Sequence, residues 1–423
     1  MKKLKAVFSF ALCLVACFSA FGITAFAGED YFSAEQKEYY KNLGLQGTVI
    51  NVYNWGEYIS DGGEGSMDVV SEFERLTGAK VNYTNFESNE NMYSKLLGGG
   101  VSYDVIVPSD YMVERLIDED MLVPIDYSNI PNMKYIREDC LHLPFDPEQK
   151  YSVCFNTGYT VLIYNKKLVK EKPDSWSALW DEQYKGKVLM FNNSRDAFAI
   201  AQQLAGTSLN SNVEQEWVDA AKLLAQQKDK VNPVYVMDEV FNLMESGEYA
   251  FATYYVGDYV LMNENNKDLD YVFPKEGVNA FYDAFCIPKC VQNKKGAEAF
   301  INFMHEPQVA LENEEYIYYA SANKSVQENE ECSLYGNEAV YPTEPPKSEV
   351  FSNLPQNILE LQNNLWSSVK SGNLSVNSKQ TERQIYTVSA CVGAGVVLFV
   401  ACYFVKKKLK SKEQDLSDLY EQN

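Results

Sequence analysis

Histidine is nearly missing from this 423-residue chain: His142 and His305 are the only two, and neither sits in a metal-ligand spacing. That excludes the usual His-based metal centres, and no nucleophile–base constellation appears either. Positive charge is also scarce. Lysine and arginine number 37 against 59 acids, for a net charge of −22, which disfavours nucleic acid and anionic ligands and favours cations. Cysteines number nine, of which Cys140, Cys154, Cys286, Cys290 and Cys332 lie outside the two apolar termini. An odd set argues against a full disulfide framework, and Cys286 and Cys290, flanking Ile-Pro-Lys, match no metal spacing. There is no internal repeat and no Leu-Pro-x-Thr-Gly sorting signal. No metal or cofactor is expected.

What is present begins with the ends. Residues 1–27 read as a signal peptide: Lys2, Lys3 and Lys5, an apolar run, then Ala25-Phe26-Ala27 before Gly28. Leu14-Val15-Ala16-Cys17 offers a competing lipidation site. At the other end, residues 385–405 contain no charge and are long enough to span a bilayer, and Lys406, Lys407, Lys408, Lys410 and Lys412 follow at once. Lysines on that side predict a cytoplasmic tail (406–423) and an ectodomain outside. Removing the signal's +3 and the tail's +1 from −22 leaves the ectodomain near −26. At about 350 residues the ectodomain exceeds one ordinary core and predicts two lobes.

Within it, residues 28–45 read as a polar, helix-prone spacer and 373–384 as a linker. Between them strand and helix patterns alternate, predicting α/β lobes. Val49–Tyr53 reads as a strand, Met67–Leu76 as an amphipathic helix ended by Gly78, and Tyr159–Tyr164 as a strand of the second half. In open α/β sheets ligands bind beyond the carboxyl ends of strands. The residues there are Trp55, Glu57 and Tyr58; Ser109 and Tyr111; Asn193 and Asp196; Tyr255 and Asp258; and Phe281 and Asp283. Each alone has an ordinary structural reading: Ser109 as a helix N-cap, Asp196 as a first-turn acid, the aromatics as packing. Together they combine rings with carboxylates, a chemistry suited to a long flexible cation. Rings attract ammonium groups and cover methylenes, while carboxylates accept charge-assisted hydrogen bonds.

Val52-Tyr53-Asn54-Trp55-Gly56-Glu57-Tyr58, the run Phe86–Leu96, Tyr103–Tyr111, Leu143-Pro144-Phe145-Asp146-Pro147, Phe273–Gly277 and Ile301-Asn302-Phe303-Met304 closely resemble the spermidine/putrescine-binding proteins of ABC importers. The likeness runs from about residue 47 to about 370. It implies a two-lobed periplasmic-binding-protein fold, type II-like, with a hinged cleft. Lobe 1 would hold 46–157 and 283–326, and lobe 2 would hold 159–280 and 330–372. Carried over by position, the family's aromatic walls fall on Trp55, Tyr111, Tyr255 and Phe281, and its carboxylates on Asp196 and Asp283. Glu57 and Tyr58 lie in its first contact segment, Ser109 is a polar contact and Tyr319 a late aromatic one. Asn193 stands where an aspartate is typical, Tyr255 and Phe281 where tryptophans are typical, and Asp258 adds an acid. The resemblance implies a polyamine ligand, permease and ATPase partners, a monomeric ectodomain and no catalysis. The alternatives are a receptor of the same fold for another small solute, or an exported membrane-anchored enzyme such as a glycoside hydrolase using Asp196 and Asp283.

Overall fold

The computed structural model describes residues 31–374. The predicted signal peptide, span and tail, and the linker beyond Leu374, lie outside the described residues. Among the described residues no helix is long and apolar enough to cross a membrane.

Among the described residues eleven strands form one mixed sheet: β1 (Val49–Trp55), β2 (Lys80–Phe86), β3 (Val105–Ile106), β4 (Ser152–Asn165), β5 (Val188–Phe191), β6 (Val234–Val236), β7 (Phe251–Tyr255), β8 (Leu269–Val272), β9 (Val278–Cys286), β10 (Ala320–Ser321) and β11 (Ser348–Val350). The order is β2-β1-β3-β9-β4-β7-β5-β6, with β10 and β8 on β4 and β11 on β9. The β2-β1-β3 and β7-β5-β6 groups are parallel, and β9 and β4 join them through antiparallel pairings.

Two cores sit on this sheet. The first gathers Tyr53, Phe73, Phe285 and Phe300 with other residues from 32–155 and 281–322. The second gathers Trp176, Phe198, Trp217 and Phe251 with others from 161–278 and 339–374. β4 and β9 run through both. Val153–Phe155 of β4 packs in the first core and Val161–Tyr164 in the second. This is a two-lobed α/β fold whose halves share their two longest central strands.

Local sequence explains the flanking helices. In Val69–Thr77, Asp68 caps the start by accepting the Ser71 amide at 2.8 Å, Val69, Phe73 and Leu76 are buried, and Gly78 ends the helix at φ 71°. Two expectations need correction. β4 begins at Ser152, seven residues before the predicted Tyr159, because Asn156-Thr157-Gly158 hides an apolar pattern while pairing with β9. Residues 28–45 do not behave as a spacer throughout. Ala34–Lys41 is a helix with a Ser33/Gln36 capping box. Its Tyr40 is fully buried, donates to Glu306 Oε1 at 2.7 Å, and meets Phe303 edge-on at 5.4 Å. Phe32, just before the cap, also packs on Phe303, and Gln36 donates to Glu306, so the segment's average polarity conceals its contact.

Candidate functional site

The two lobes meet along the carboxyl ends of β1 and β7 and the middle of β9. Asp283, on β9, is buried. Tyr58 donates to its Oδ2 at 2.7 Å and Ser109 to its Oδ1 at 2.6 Å. Ser109 precedes the helix Asp110–Asp118, yet its hydroxyl makes no cap bond and turns to Asp283 instead. Burial pushes the Asp283 carboxyl up to about 6, and the two hydroxyl donors hold back a larger rise.

Asp258 lies in the first turn of the helix Val256–Asn265 and keeps some accessible surface. It accepts from Tyr319 across the lobe boundary at 2.6 Å. Burial, then the nearby Asp238 and Glu57 charges, push it up to about 7 against that one hydrogen bond. Asp196 is buried in the first turn of Ser194–Ala205. Tyr255 and the Asn193 amide donate to its Oδ2 at 2.8 and 2.7 Å, and its own amide donates to Asn193, the helix cap. Burial raises Asp196, and those two donors and Arg195 oppose the rise.

Aromatic rings tie the three acids into one cluster. Tyr58 and Tyr319 meet at 5.4 Å, Tyr319 and Phe281 at 5.9 Å, and Phe281 and Tyr255 at 5.5 Å. Phe281 lies against Gly158, where a Cβ would stand 2.5 Å from the ring. Gly257 is equally constrained: a Cβ there would come within 2.7 Å of the Tyr318 carbonyl. Only glycine permits either approach.

The remaining predicted residues are less central. Tyr111 donates to Glu90 at 2.9 Å and packs edge-on to Phe351 at 6.0 Å. Glu57 is exposed, in left-handed backbone at φ 49°, and acts on Asp258 through its charge. Trp55 packs on Phe86 at 4.5 Å, its Nε1 is buried without a partner, and no direct contact joins it to the three acids. Concavities of about 320 Å³ beside Leu168 and about 420 Å³ beside Tyr39 lie away from the cluster.

Two charged residues escaped the sequence reading. Asp110 is fully buried and accepts the amides of Tyr111 at 2.7 Å and Tyr282 at 3.1 Å, which fixes β9 beside Ser109. Burial holds it well above the usual carboxylate range. Arg195 is buried between Tyr111 and Phe351, with its guanidinium carbon 4.4 Å from the Phe351 centroid. It donates to Asn210 at 2.8 Å and to the Ser352 carbonyl at 3.0 Å. Burial lowers it to about 10, so it stays charged at neutral pH. A signal for Arg195 was available: a cation in the first turn opposes the helix dipole, so tertiary partners had to hold it there.

Residues 68–338 match the bacterial extracellular solute-binding protein family. The spermidine/putrescine-binding periplasmic protein of Escherichia coli is 32% identical over 296 residues, 70% of this chain and 83% of that protein. The putrescine-binding periplasmic protein of the same organism is 27% identical over 352 residues, 78% and 93% of the two chains. A solved structure of the spermidine/putrescine ABC transporter substrate-binding protein of Streptococcus pneumoniae is 33% identical with a TM-score of 0.66, covering 77% of this chain and 99% of that one. Two lobes sharing their central strands, an acid-and-ring cluster where those lobes meet, and a match over well over half the length place this chain in the bacterial extracellular solute-binding protein family.

Proposed function

We propose that this protein holds a polyamine, spermidine or putrescine, between its lobes outside the cytoplasm and passes it to the permease and ATPase subunits of an ABC importer. One observation carries the reading. Asp196, Asp258 and Asp283 share a ring-lined cluster, yet their direct hydrogen bonds come only from neutral hydroxyl and side-chain amide donors. Among the described residues none forms an ion pair with lysine or arginine. Neutral donors leave the negative potential intact, and Arg195 alone offsets it beside Asp196. Ammonium groups would satisfy the acids, while Phe281, Tyr255, Tyr319, Tyr58, Trp55 and Tyr111 would cover the methylene spacers. Ser109, Asn193 and Glu57 would complete the polar contacts. The names of the relatives point to the same ligand class.

Asp258 and Tyr319 bond across the lobe boundary, so entry of a ligand would need the lobes to part. Lobe 1 (46–157 and 283–326) and lobe 2 (159–280 and 330–372) would swing about β4 near Gly158 and β9 near Ala280–Asp283. Calorimetric titration with putrescine and spermidine, with lysine as a control, tests the reading. Tight binding of either polyamine is expected; binding of lysine alone would overturn the ligand class.

The same reading includes a tether. The signal peptide would be removed after Ala27, and residues 385–405 would hold the lobes at the outer face with the lysine-rich tail inside. Protease added to intact cells should digest the lobes and spare the tail. The reverse protection would refute this topology.

A further inference from the structure

The helix Asp110–Asp118 belongs to the first core through Met112, Val113 and Leu116. Its Tyr111, Glu114 and Asp118 are three and four positions apart and so share one face. Against that face lies a strap, residues 349–353, which continues β11 and runs on to Leu354 in the second core. The strap is fastened on its lobe 2 side. β11 pairs with Val278–Ala280 of β9. Glu349 accepts from the Ser208 hydroxyl at 2.5 Å and the Leu209 amide at 3.0 Å. Asn210 holds the main chain on both sides of Phe351: its Nδ2 donates to the Val350 carbonyl and its Oδ1 accepts the Ser352 amide, each at 2.8 Å. Buried Arg195 donates to both Asn210 and the Ser352 carbonyl. Toward lobe 1 the attachment is lighter. The Asn353 amide donates to Glu114 Oε2 at 2.6 Å, and its side-chain amide donates to the exposed Asp118 at 3.1 Å. An acid in the last turn opposes the helix dipole, so Asp118 gains from that donor. Phe351 and the Arg195 guanidinium lie against the Tyr111 ring at 6.0 and 5.6 Å.

We propose that the strap is an interlobe latch. When the lobes part, Asn353 releases Glu114 and Asp118, while Asn210, Arg195 and Glu349 keep the strap on lobe 2. The inference rests on the reading of the cleft as one that opens for its ligand. Water replaces the latch bonds readily, because one is a single main-chain amide on a carboxylate and the other is an exposed side-chain pair. The lobe 2 bonds grip the strap on both sides of Phe351 and include a buried guanidinium, so they persist. Tyr111 is a wall of the proposed site, so the closed latch shuts the cleft at the Tyr111 end and slows departure of the ligand. It touches none of Asp196, Asp258 and Asp283. Cutting it therefore leaves the charges that meet the ligand unchanged, which separates its effect from theirs.

Residue-resolved hydrogen exchange on the full-length protein tests the latch without a ligand. Corrected for intrinsic rates, the Asn353 amide should exchange at least about tenfold faster than the Ser352 amide, because parting of the lobes frees the first and leaves the second on Asn210. Exchange of both at one rate would mean that strap and contact open only together, and would overturn the proposal. Glu114→Ala should raise exchange at Asn353 and not at Ser352. The same variant should speed putrescine release about tenfold in stopped-flow measurements, with association within about twofold of wild type. Glu114→Gln keeps an acceptor and should restore slow release. Asn353→Ala removes only the exposed pair and should speed release about twofold. Wild-type release rates in Glu114→Ala would also overturn the latch. A wild-type protein that takes no putrescine would refute the ligand and not the latch, which the exchange comparison still decides.

Discussion

The protein buries carboxylates in two different ways. Asp104 and Asp146, inside lobe 1, are surrounded by backbone donors. Asp104 accepts the amides of Asn51, Gln292 and Asn293, each at 2.8 Å. Asp146 accepts those of Lys150, Tyr151 and Ser152 and the Ser152 hydroxyl, at 2.8–3.0 Å. In the cluster between the lobes, Asp283 receives two hydroxyls and Asp258 a single one. Backbone amides are fixed in place by the chain, so a carboxylate surrounded by them is a structural clamp. Side-chain hydroxyls can rotate away. An acid held only by them can exchange its donor for an ammonium without disturbing the fold. On the proposed reading, the lobe 1 carboxylates serve the fold's own stability and those between the lobes are left for a ligand.

The contrast between the two kinds of acid implies graded effects on polyamine affinity. Asp283→Asn should weaken binding roughly 100-fold in calorimetry, because a desolvated ammonium loses its paired charge. Unchanged affinity would remove Asp283 from the site. Lowering the pH from 8 to 5 should weaken binding at least about tenfold. Asp258, pushed to about 7, and Asp283, pushed to about 6, take up protons over that range and stop pairing with cations. The sign for stability is opposite. These carboxyls bind protons more tightly folded than unfolded, so without amine their contribution to stability falls as pH rises from about 4 to 7. Melting curves across pH, with and without putrescine, would show whether the two trends cross. Gly158→Ala should cost about fivefold in affinity by pushing Phe281 off β4. Asp146→Asn should leave affinity within about twofold while lowering the melting temperature by about 5 °C, since amide donors would face a neutral group. A large affinity loss there would erase the distinction between the two kinds of acid.

How much of this could be read from the chain varied with the kind of signal. The helix Val69–Thr77 was legible because its cap, apolar spacing and terminal glycine all lie within eleven residues. The strand-end segments were legible because residues beyond a strand's carboxyl end line the crevice of an α/β sheet. The full length of β4 was not, since its polar middle is covered by β9 and by the ring of Phe281 from more than 120 residues away. The helical tendency of Ala34–Lys41 was legible, but not its docking, because the partners of Tyr40 are Phe303 and Glu306. Asp110 was legible only as part of a segment, because the amide it clamps belongs to Tyr282.

The alternation of strands and helices, the excess of acid over base and the residue types at the strand ends were set by the chain alone, because each is a property of neighbouring residues or of their sum. The fold alone settles which acid meets which hydroxyl and why Gly158 must be glycine. Those facts depend on segments that the folded chain brings together from about 60 to more than 200 positions apart, and no local pattern encodes such distances.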